Sequence, residues 1–567
     1  MKNIKLKRQY ILSILLIVGV LFGCENYLDV DTDTDNPTVA PLNQLLPGLQ
    51  ITTALIGDYN LFSGEVLGTY THQGVSRSEQ DQYGTKANNI PLNNDWNNIY
   101  LSLTDLQSLI SQAETDEATV YQGIGQLLKA YMMSVAVDLW GDVPFSEATL
   151  LKEGTVGPVF DNSESIYQAI LDLIDEAKVN LNNPNTVGAL PGADDFFYKG
   201  DASQWIKFAN TFKLKLYNQI RLSSSPLFNT SDLNALVTEN NFFSSINDDF
   251  QFTHTATTAP TDERNQLFQG AYGGAQVDNY VSPWFYEILM GMNPNIHTGN
   301  PDPRIPYYWA NQLQPGQFPR DQSDPVSGDP RADYWDASTG FFTIRFASVG
   351  PWRDGAVAND ATFPGIFPCG GRFDDGQGFA KSVASGTGVA PRRILTYDEF
   401  LYIQAELMQV GLITGDVAAK LTEAMTASFA KVDQVVAGTG TTQAVPVLAG
   451  TMPVTDFIAN VGVEFTSANS EKQLEIIMTQ KWVATYGDQL DQHNDYRRTG
   501  YPVFPDPNSP NEYQLDNGDA FPLLDSDTTL NNPYNRTFFW PENELNINQN
   551  APEQKTLANY RVFWDNN

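Results

Sequence analysis

Two stretches of this 567-residue chain mix flat aromatic rings with amide, carboxylate and guanidinium groups. The first runs from Tyr70-Thr71-His72-Gln73 to Arg77, then through Gln80-Asp81-Gln82-Tyr83 to Asn93-Asn94-Asp95-Trp96. The second holds Trp284, Tyr307, Tyr308, Trp309, Trp352 and Arg353. Such a mixture suits binding rather than reaction. A ring can lie against the C–H face of a sugar with little loss of side-chain entropy, while the polar groups take its hydroxyls. The candidate ligand residues are Gln73, Arg77, Tyr83, Trp96, Trp284, Tyr308, Trp309, Trp352 and Arg353. Trp140, Trp205 and Trp482 instead fall on apolar helix stripes and are expected in the core.

Covalent chemistry finds no comparable support. The sequence contains no Gly-x-Ser-x-Gly elbow, no phosphate loop and no His-Glu-x-x-His. His72, His254, His297 and His493 are scattered, and no two stand at helical metal-ligand spacing. No catalytic residue, metal or cofactor is expected. A glycan-degrading surface enzyme stays as an alternative, because two carboxylates suffice for glycoside hydrolysis and the chain has 67 Asp plus Glu. Cys369, in Phe-Pro-Cys-Gly-Gly, has no His near it in sequence and reads as a small packed residue. The net charge of −34 argues against nucleic acid and anionic lipid as partners.

The elements that would carry these residues begin with an export signal. Lys2, Lys5, Lys7 and Arg8 precede an apolar run from Ile11 to Phe22, and Leu21-Phe22-Gly23-Cys24 closes it. That run is shorter than the roughly 20 residues of a membrane span, and a small residue before Cys suits lipoprotein cleavage. Residues 1–23 are read as the signal, Cys24 as the lipidated residue, and 24–41 as an acidic tether. The alternating Asp29, Asp31, Asp33 and Asp35 do not make a calcium loop. Counting from Asp31, Asn36 stands where the turn Gly belongs and Leu42 where the bidentate Glu belongs.

Beyond the tether the pattern is helical. Val120, Ile124, Leu127, Leu128, Tyr131 and Val135 share one helix face, which Gly141-Asp142-Val143-Pro144 ends. Further helices are predicted over Asp95–Ala113, Ser163–Leu181 and Ala202–Leu222, then Ile394–Gly411, Asp416–Val432 and Glu471–Gln489. Short links between successive helices suggest antiparallel pairs stacked as a solenoid. Between about 242 and 391 the periodicity gives way to Gly, Pro, Asn and Asp, and a loop-rich stretch of that length reads as functional surface. The fold expected is mostly α, a tetratricopeptide-like helical-pair solenoid with a loop-rich ligand-binding insertion. One domain over 42–567 is expected, with its scaffold in about 42–241 and 392–495 and a C-terminal loop region at 496–567.

Five segments in order resemble SusD/RagB-type outer-membrane lipoproteins. They are Cys24 with Asp35-Asn36-Pro37, Asp138-Leu139-Trp140-Gly141-Asp142-Val143-Pro144, Tyr397-Asp398-Glu399-Phe400 to Glu406, Gln480-Lys481-Trp482 to Arg497-Arg498-Thr499-Gly500-Tyr501-Pro502, and Trp540-Pro541-Glu542 to Asn546. His493 departs from the apolar or aromatic residue expected there. The resemblance implies four tetratricopeptide-like helix pairs and a ligand face built from loops in the two aromatic stretches. It also implies a position on the outer membrane facing the exterior, under a lipid anchor. The implied partner is a SusC-like TonB-dependent barrel that receives an oligosaccharide, or in some relatives a peptide, without chemical change. Arg497-Arg498 is expected to pin carboxylates or helix ends inside the fold.

Overall fold

Short polar residues start the helices. Asn89 Oδ1 accepts from Leu92 N at 3.2 Å, Asn162 Oδ1 from Glu164 N at 3.0 Å, Asp201 Oδ1 from Ser203 N at 2.9 Å, and Asp416 Oδ1 from Ala419 N at 3.1 Å. Each satisfies a backbone donor that a helix leaves without an internal partner. The structure, a computed structural model, describes residues 40–77, 79–274, 279–320, 334–347, 360–504 and 534–566. The signal, Cys24 and the tether up to residue 39 lie outside the described residues, as do Trp352 and Arg353.

The N-terminal half carries α1 (Leu42–Leu55), α2 (Ser63–Tyr70), α3 (Ile90–Thr115), α4 (Thr119–Trp140), α5 (Ser163–Leu181), α6 (Ala202–Ile220) and α7 (Thr230–Glu239). After α8 (Pro283–Leu289), the C-terminal half adds α9 (Tyr397–Gln409), α10 (Val417–Gly438), α11 (Met452–Ser467), α12 (Ser470–Ala484), α13 (Gln489–Thr499) and α14 (Glu542–Ile547). The chain is mostly helical. Short links fold α3 against α4 and α9 against α10 as neighbours. Among the described residues no helix is long and apolar enough to cross a membrane.

Where expectation and structure differ, a local reason is visible. Helix α3 starts five residues before Asp95, because Asn89 caps it and Pro91 preorganises its first turn. The helix expected over Ile394–Gly411 begins only at Tyr397, since Arg392–Leu395 forms a strand. The one expected over Glu471–Gln489 breaks after Ala484, where Gly487 takes φ of 101°. A new helix, α13, then runs on to Thr499 and ends at Gly500 in the left-handed region.

The loop-rich stretch is tied down by short ladders. Strands β1 (Gly74–Ser76), β2 (Val143–Pro144), β3 (Phe160–Asp161), β4 (Phe250–Phe252), β5 (Asn279–Val281), β6 (Trp309–Ala310), β7 (Tyr334–Asp336), β8 (Phe341–Thr343), β9 (Phe363–Pro364) and β10 (Arg392–Leu395) pair as β1–β5, β2–β3, β4–β10, β6–β9 and β7–β8, all antiparallel. Four of the five ladders draw on residues 242–391, so this stretch is part of the folded body.

Buried charges join the two halves. Glu406 on α9 pairs with Arg498 on α13 and, at 2.7 Å, with Arg221 just after α6. Arg498 also meets Asp495 at 2.7 Å, and Asp495 meets Lys481 on α12 at 2.8 Å. Burial favours the neutral acid at Glu406, but the Arg498 and Arg221 guanidiniums outweigh it and hold the carboxyl well below its usual range. Its contribution to stability is therefore complete above about pH 4.5, the ordinary value for Glu, and is lost as the pH falls through the lower folded-state value. Glu406→Gln should lower unfolding stability by about 3–5 kcal/mol, because it leaves two guanidiniums buried without their shared partner. Urea denaturation at pH 7 checks this, and repeating it in acid should show the gap between wild type and variant closing.

Candidate ligand-binding site

The two aromatic and polar stretches, some 200 residues apart in sequence, meet in the fold. Ladder β1–β5 sets Gly74 opposite Val281, Val75 opposite Tyr280 and Ser76 opposite Asn279, and Ser282 N donates to Gln73 O at 3.1 Å. Farther along, His72 stacks on Phe346 at 4.4 Å, and Ala347 N donates to Asp81 Oδ2 at 3.1 Å.

Most of the candidate rings lie inside this junction rather than on it. Tyr83 is buried, with its ring 5.0 Å from Tyr70 and its hydroxyl 3.2 Å from His72 Nε2. Trp96 packs edge-on against Trp140 at 5.2 Å. Trp309 and Tyr308 are fully buried. Trp309 sits 5.7 Å from Phe285, and the Tyr308 hydroxyl donates to Val483 O at 3.0 Å. Trp284 is 4% exposed. As placed, these five side chains are core, and the physical reason is plain: where helices stop supplying an apolar stripe, rings must fill the interior. Arg77 is half-buried at the end of β1. Gln73 is buried too, its Nε2 donating to Trp482 O at 2.7 Å, yet it also lines a cavity. Trp140, Trp205 and Trp482 are buried as expected, and so is Arg497-Arg498.

Two cavities lie beside the π-helical turn Gln269–Gly273. The larger, about 550 Å³, is open and polar, and its volume falls within the roughly 300–1,000 Å³ of ligand pockets. Its wall holds Phe379, Gln317, Gln377, Lys381, Arg320 and Asp360. The half-buried Phe379 ring stacks beyond Tyr272 at 6.4 Å and lies under the Arg372 guanidinium at 5.6 Å. Arg320 grips the buried Asp360 through Nε at 3.0 Å and NH2 at 2.8 Å, while its own side chain is 69% exposed. Lys381 donates to Gly274 O at 2.8 Å, and burial lowers its pKa. Gln312 holds the floor, accepting from Lys381 N at 3.0 Å and donating to Ala361 O at 3.0 Å. One ring, two exposed amides, a guanidinium and an ammonium around an open hollow can hold a hydroxyl-rich ligand by stacking and hydrogen bonds. The sequence named none of these lining residues. Gly376-Gln377-Gly378-Phe379 offered a signal, a ring among turn residues, but nothing local set it apart.

The smaller cavity, about 160 Å³, lies between α2, ladder β1–β5 and the turn at Tyr486–Gln489. A third group has the spacing of metal ligands: Glu399, Asp488 and Asp491 bring carboxylate oxygens within 4.8 Å of one another. Each has a cation of its own. Lys481 lies 3.4 Å from Glu399, Arg392 lies 3.4 Å from Asp488, and Lys215 pairs with Asp491. Burial pushes Asp488 up to about 7, against the pull of Arg392. The cluster reads as an internal ion network.

A family model described as starch-binding and associating with the outer membrane, of the SusD-like kind, matches residues 58–522. Comparison with curated proteins gives no match. Among solved structures, a SusD homolog from Bacteroides fragilis is 18% identical with a TM-score of 0.63, covering 93% of this chain and 99% of its own. A chitin-binding SusD homolog from Flavobacterium johnsoniae is 16% identical with a TM-score of 0.62 over the same shares. A SusD/RagB family protein from Bacteroides thetaiotaomicron is 18% identical with a TM-score of 0.61, again over 93% and 99%. These likenesses establish a shared fold.

The burial pattern separates core rings from cavity walls by stability. Trp309→Ala should cost about 3–5 kcal/mol, as for a large buried side chain. Gln317→Ala, on the exposed wall, should stay within about 0.5 kcal/mol of wild type. Chemical denaturation of both variants checks the contrast.

Proposed function

From its membership of the SusD-like family, which the match over residues 58–522 establishes, we propose that this protein captures oligosaccharides at the cell surface and hands them to a SusC-like TonB-dependent transporter. The observation that carries this reading is the open cavity of about 550 Å³, where Phe379 offers a ring and Gln317, Gln377, Arg320 and Lys381 surround it with hydrogen-bonding groups. Sugars need both kinds of contact, an apolar face and directed polar partners. The printed descriptions of relatives lend support: the family is called starch-binding, and the Flavobacterium johnsoniae homolog chitin-binding. Both polymers are chains of hydroxyl-bearing rings.

Binding without conversion suits such a site. Among the described lining residues nothing sets a nucleophile beside a base, and the one carboxylate, Asp360, is engaged by Arg320. The lipid at Cys24 would hold the body at the outer membrane, facing the exterior, where two or more acyl chains anchor stably. The barrel would then take up the ligand that this chain presents.

Phe379→Ala should weaken oligosaccharide binding by about 1–3 kcal/mol, the burial energy of such a ring, in a calorimetric titration against starch and chitin fragments. Unchanged affinity would move the site elsewhere. Release of reducing ends from these glycans would instead favour an enzyme. Cys24→Ala should shift the protein from the membrane to the soluble fraction. A C-terminal tag should bring down a TonB-dependent barrel from mildly solubilised outer membranes.

A further inference from the structure

The smaller cavity has an unbalanced lining. Gln73 and Gln489 are each 2% exposed, and the side-chain oxygens of both lack a hydrogen-bond partner. Asn279 Oδ1 is likewise buried and unpartnered. Two of these amides are oriented by their own donors. Gln73 Nε2 is spent on Trp482 O at 2.7 Å, and Asn279 Nδ2 faces Glu65 Oε1 at 3.4 Å, so their oxygens are the free ends. Glu65 adds a carboxylate whose Oε2 accepts only a backbone N–H, from Leu61 at 3.0 Å. Among the described lining residues there is no Lys, Arg or His. Tyr59 and Tyr486 complete the wall.

Buried acceptors without donors are costly, and the half-buried Glu65 carboxylate beside them adds negative charge. The missing complement is a group with several N–H donors, no lone pairs and a positive charge. A primary ammonium has three donors and no acceptor, and aromatic faces attract it. A hydroxyl brings one donor together with lone pairs that would face these oxygens. The cavity, at about 160 Å³, admits such a group rather than a whole ligand. Its rim is a strained turn, Asn60 and Leu61 having φ of 53° and 75°, and Leu61 is 55% exposed, so the entrance opens at the surface.

We propose that the cavity between α2, ladder β1–β5 and Tyr486–Gln489 is a recognition site for a primary ammonium group, carried by an amino sugar or by the amino end of a small peptide-like molecule. It stands apart from the open cavity: Gly270 and Ala271 line this one, Gly274 the other. Failure here would leave oligosaccharide binding at Phe379 intact.

The test is calorimetric titration of the purified full chain with glucosamine and glycinamide, using glucose and N-acetylglucosamine as neutral controls. Saturable binding of an amine, with at least a tenfold preference over its neutral counterpart, is expected. Glucosamine binding more tightly identifies an amino sugar, and glycinamide binding more tightly identifies a peptide-like amine. Glu65→Gln and Gln489→Leu should each reduce amine binding at least tenfold while Phe379-dependent glycan binding persists, which also reports that the variants are folded. Asn279→Ala serves as a third variant should either of these fail to fold. Absence of binding by both amines would overturn the assignment, as would equal binding of glucose or amine affinity untouched by these variants.

Discussion

The fold depends on a set of charges buried where helices from both halves of the chain converge. Glu406 on α9 bridges Arg498 on α13 and Arg221 after α6, and Lys481 on α12 joins Asp495 to Glu399. Arg392 on β10 continues the network toward Asp488, and Lys215 on α6 reaches Asp491. Burying any of these ions alone would be prohibitive, so each fixes the position of its partner. Sequence segments nearly 300 residues apart are thereby held in one register, and the surrounding aromatic core is built on that frame.

A second constraint acts at the end of α4. Gly141 takes φ of 75°, and the Tyr560 ring lies where a β-carbon would sit. The carbonyls left open at this helix end are taken up by the C-terminal tail. Phe538 N donates to Leu139 O at 2.9 Å and Lys555 Nζ to Trp140 O at 2.6 Å, while Trp540 Nε1 donates to Asp142 O at 2.9 Å. Burial pushes the Lys555 pKa well below the ordinary lysine value, and the Trp540 and Tyr560 rings lie 4.6 and 4.5 Å from its Nζ. The tail beyond 534 is thus a structural clamp on the helical scaffold.

Between these anchored parts, the described residues of the loop-rich middle pack most of their large rings inward. Trp309, Tyr308, Phe285 and Phe341 make a ring cluster against Trp482 and Tyr486. What is left at the surface beside Gln269–Gly273 is a pair of hollows of different character. One is wide and bordered by Arg320, Lys381 and exposed amides; the other is narrow and lined by acceptors. Their linings differ, with Arg320 and Lys381 on one side of a single turn and the Gln73, Asn279 and Gln489 oxygens on the other.

Local patterns in the sequence determined the helical class, several helix spans and their caps. Ser163–Leu181 matches residue for residue, and Gly141 ends α4 where the motif said it would, because periodicity and capping act within a few residues. The segments that resembled the SusD/RagB family were legible as motifs, and within them Glu406 pairs with Arg498, and Lys481 with Glu399 and Asp495. Exposure of the aromatic candidates was not legible. Tyr83, Trp96, Trp284, Tyr308 and Trp309 carry the same ring chemistry whether they stack on a ligand or on Trp140 and Phe285. Nor could spacing reveal that Gln73 and Asn279 would line one cavity, or that Phe379 would border the other. Those outcomes depend on contacts between residues hundreds of positions apart, and only the tertiary structure, through packing and the pairing of buried charge, decided them.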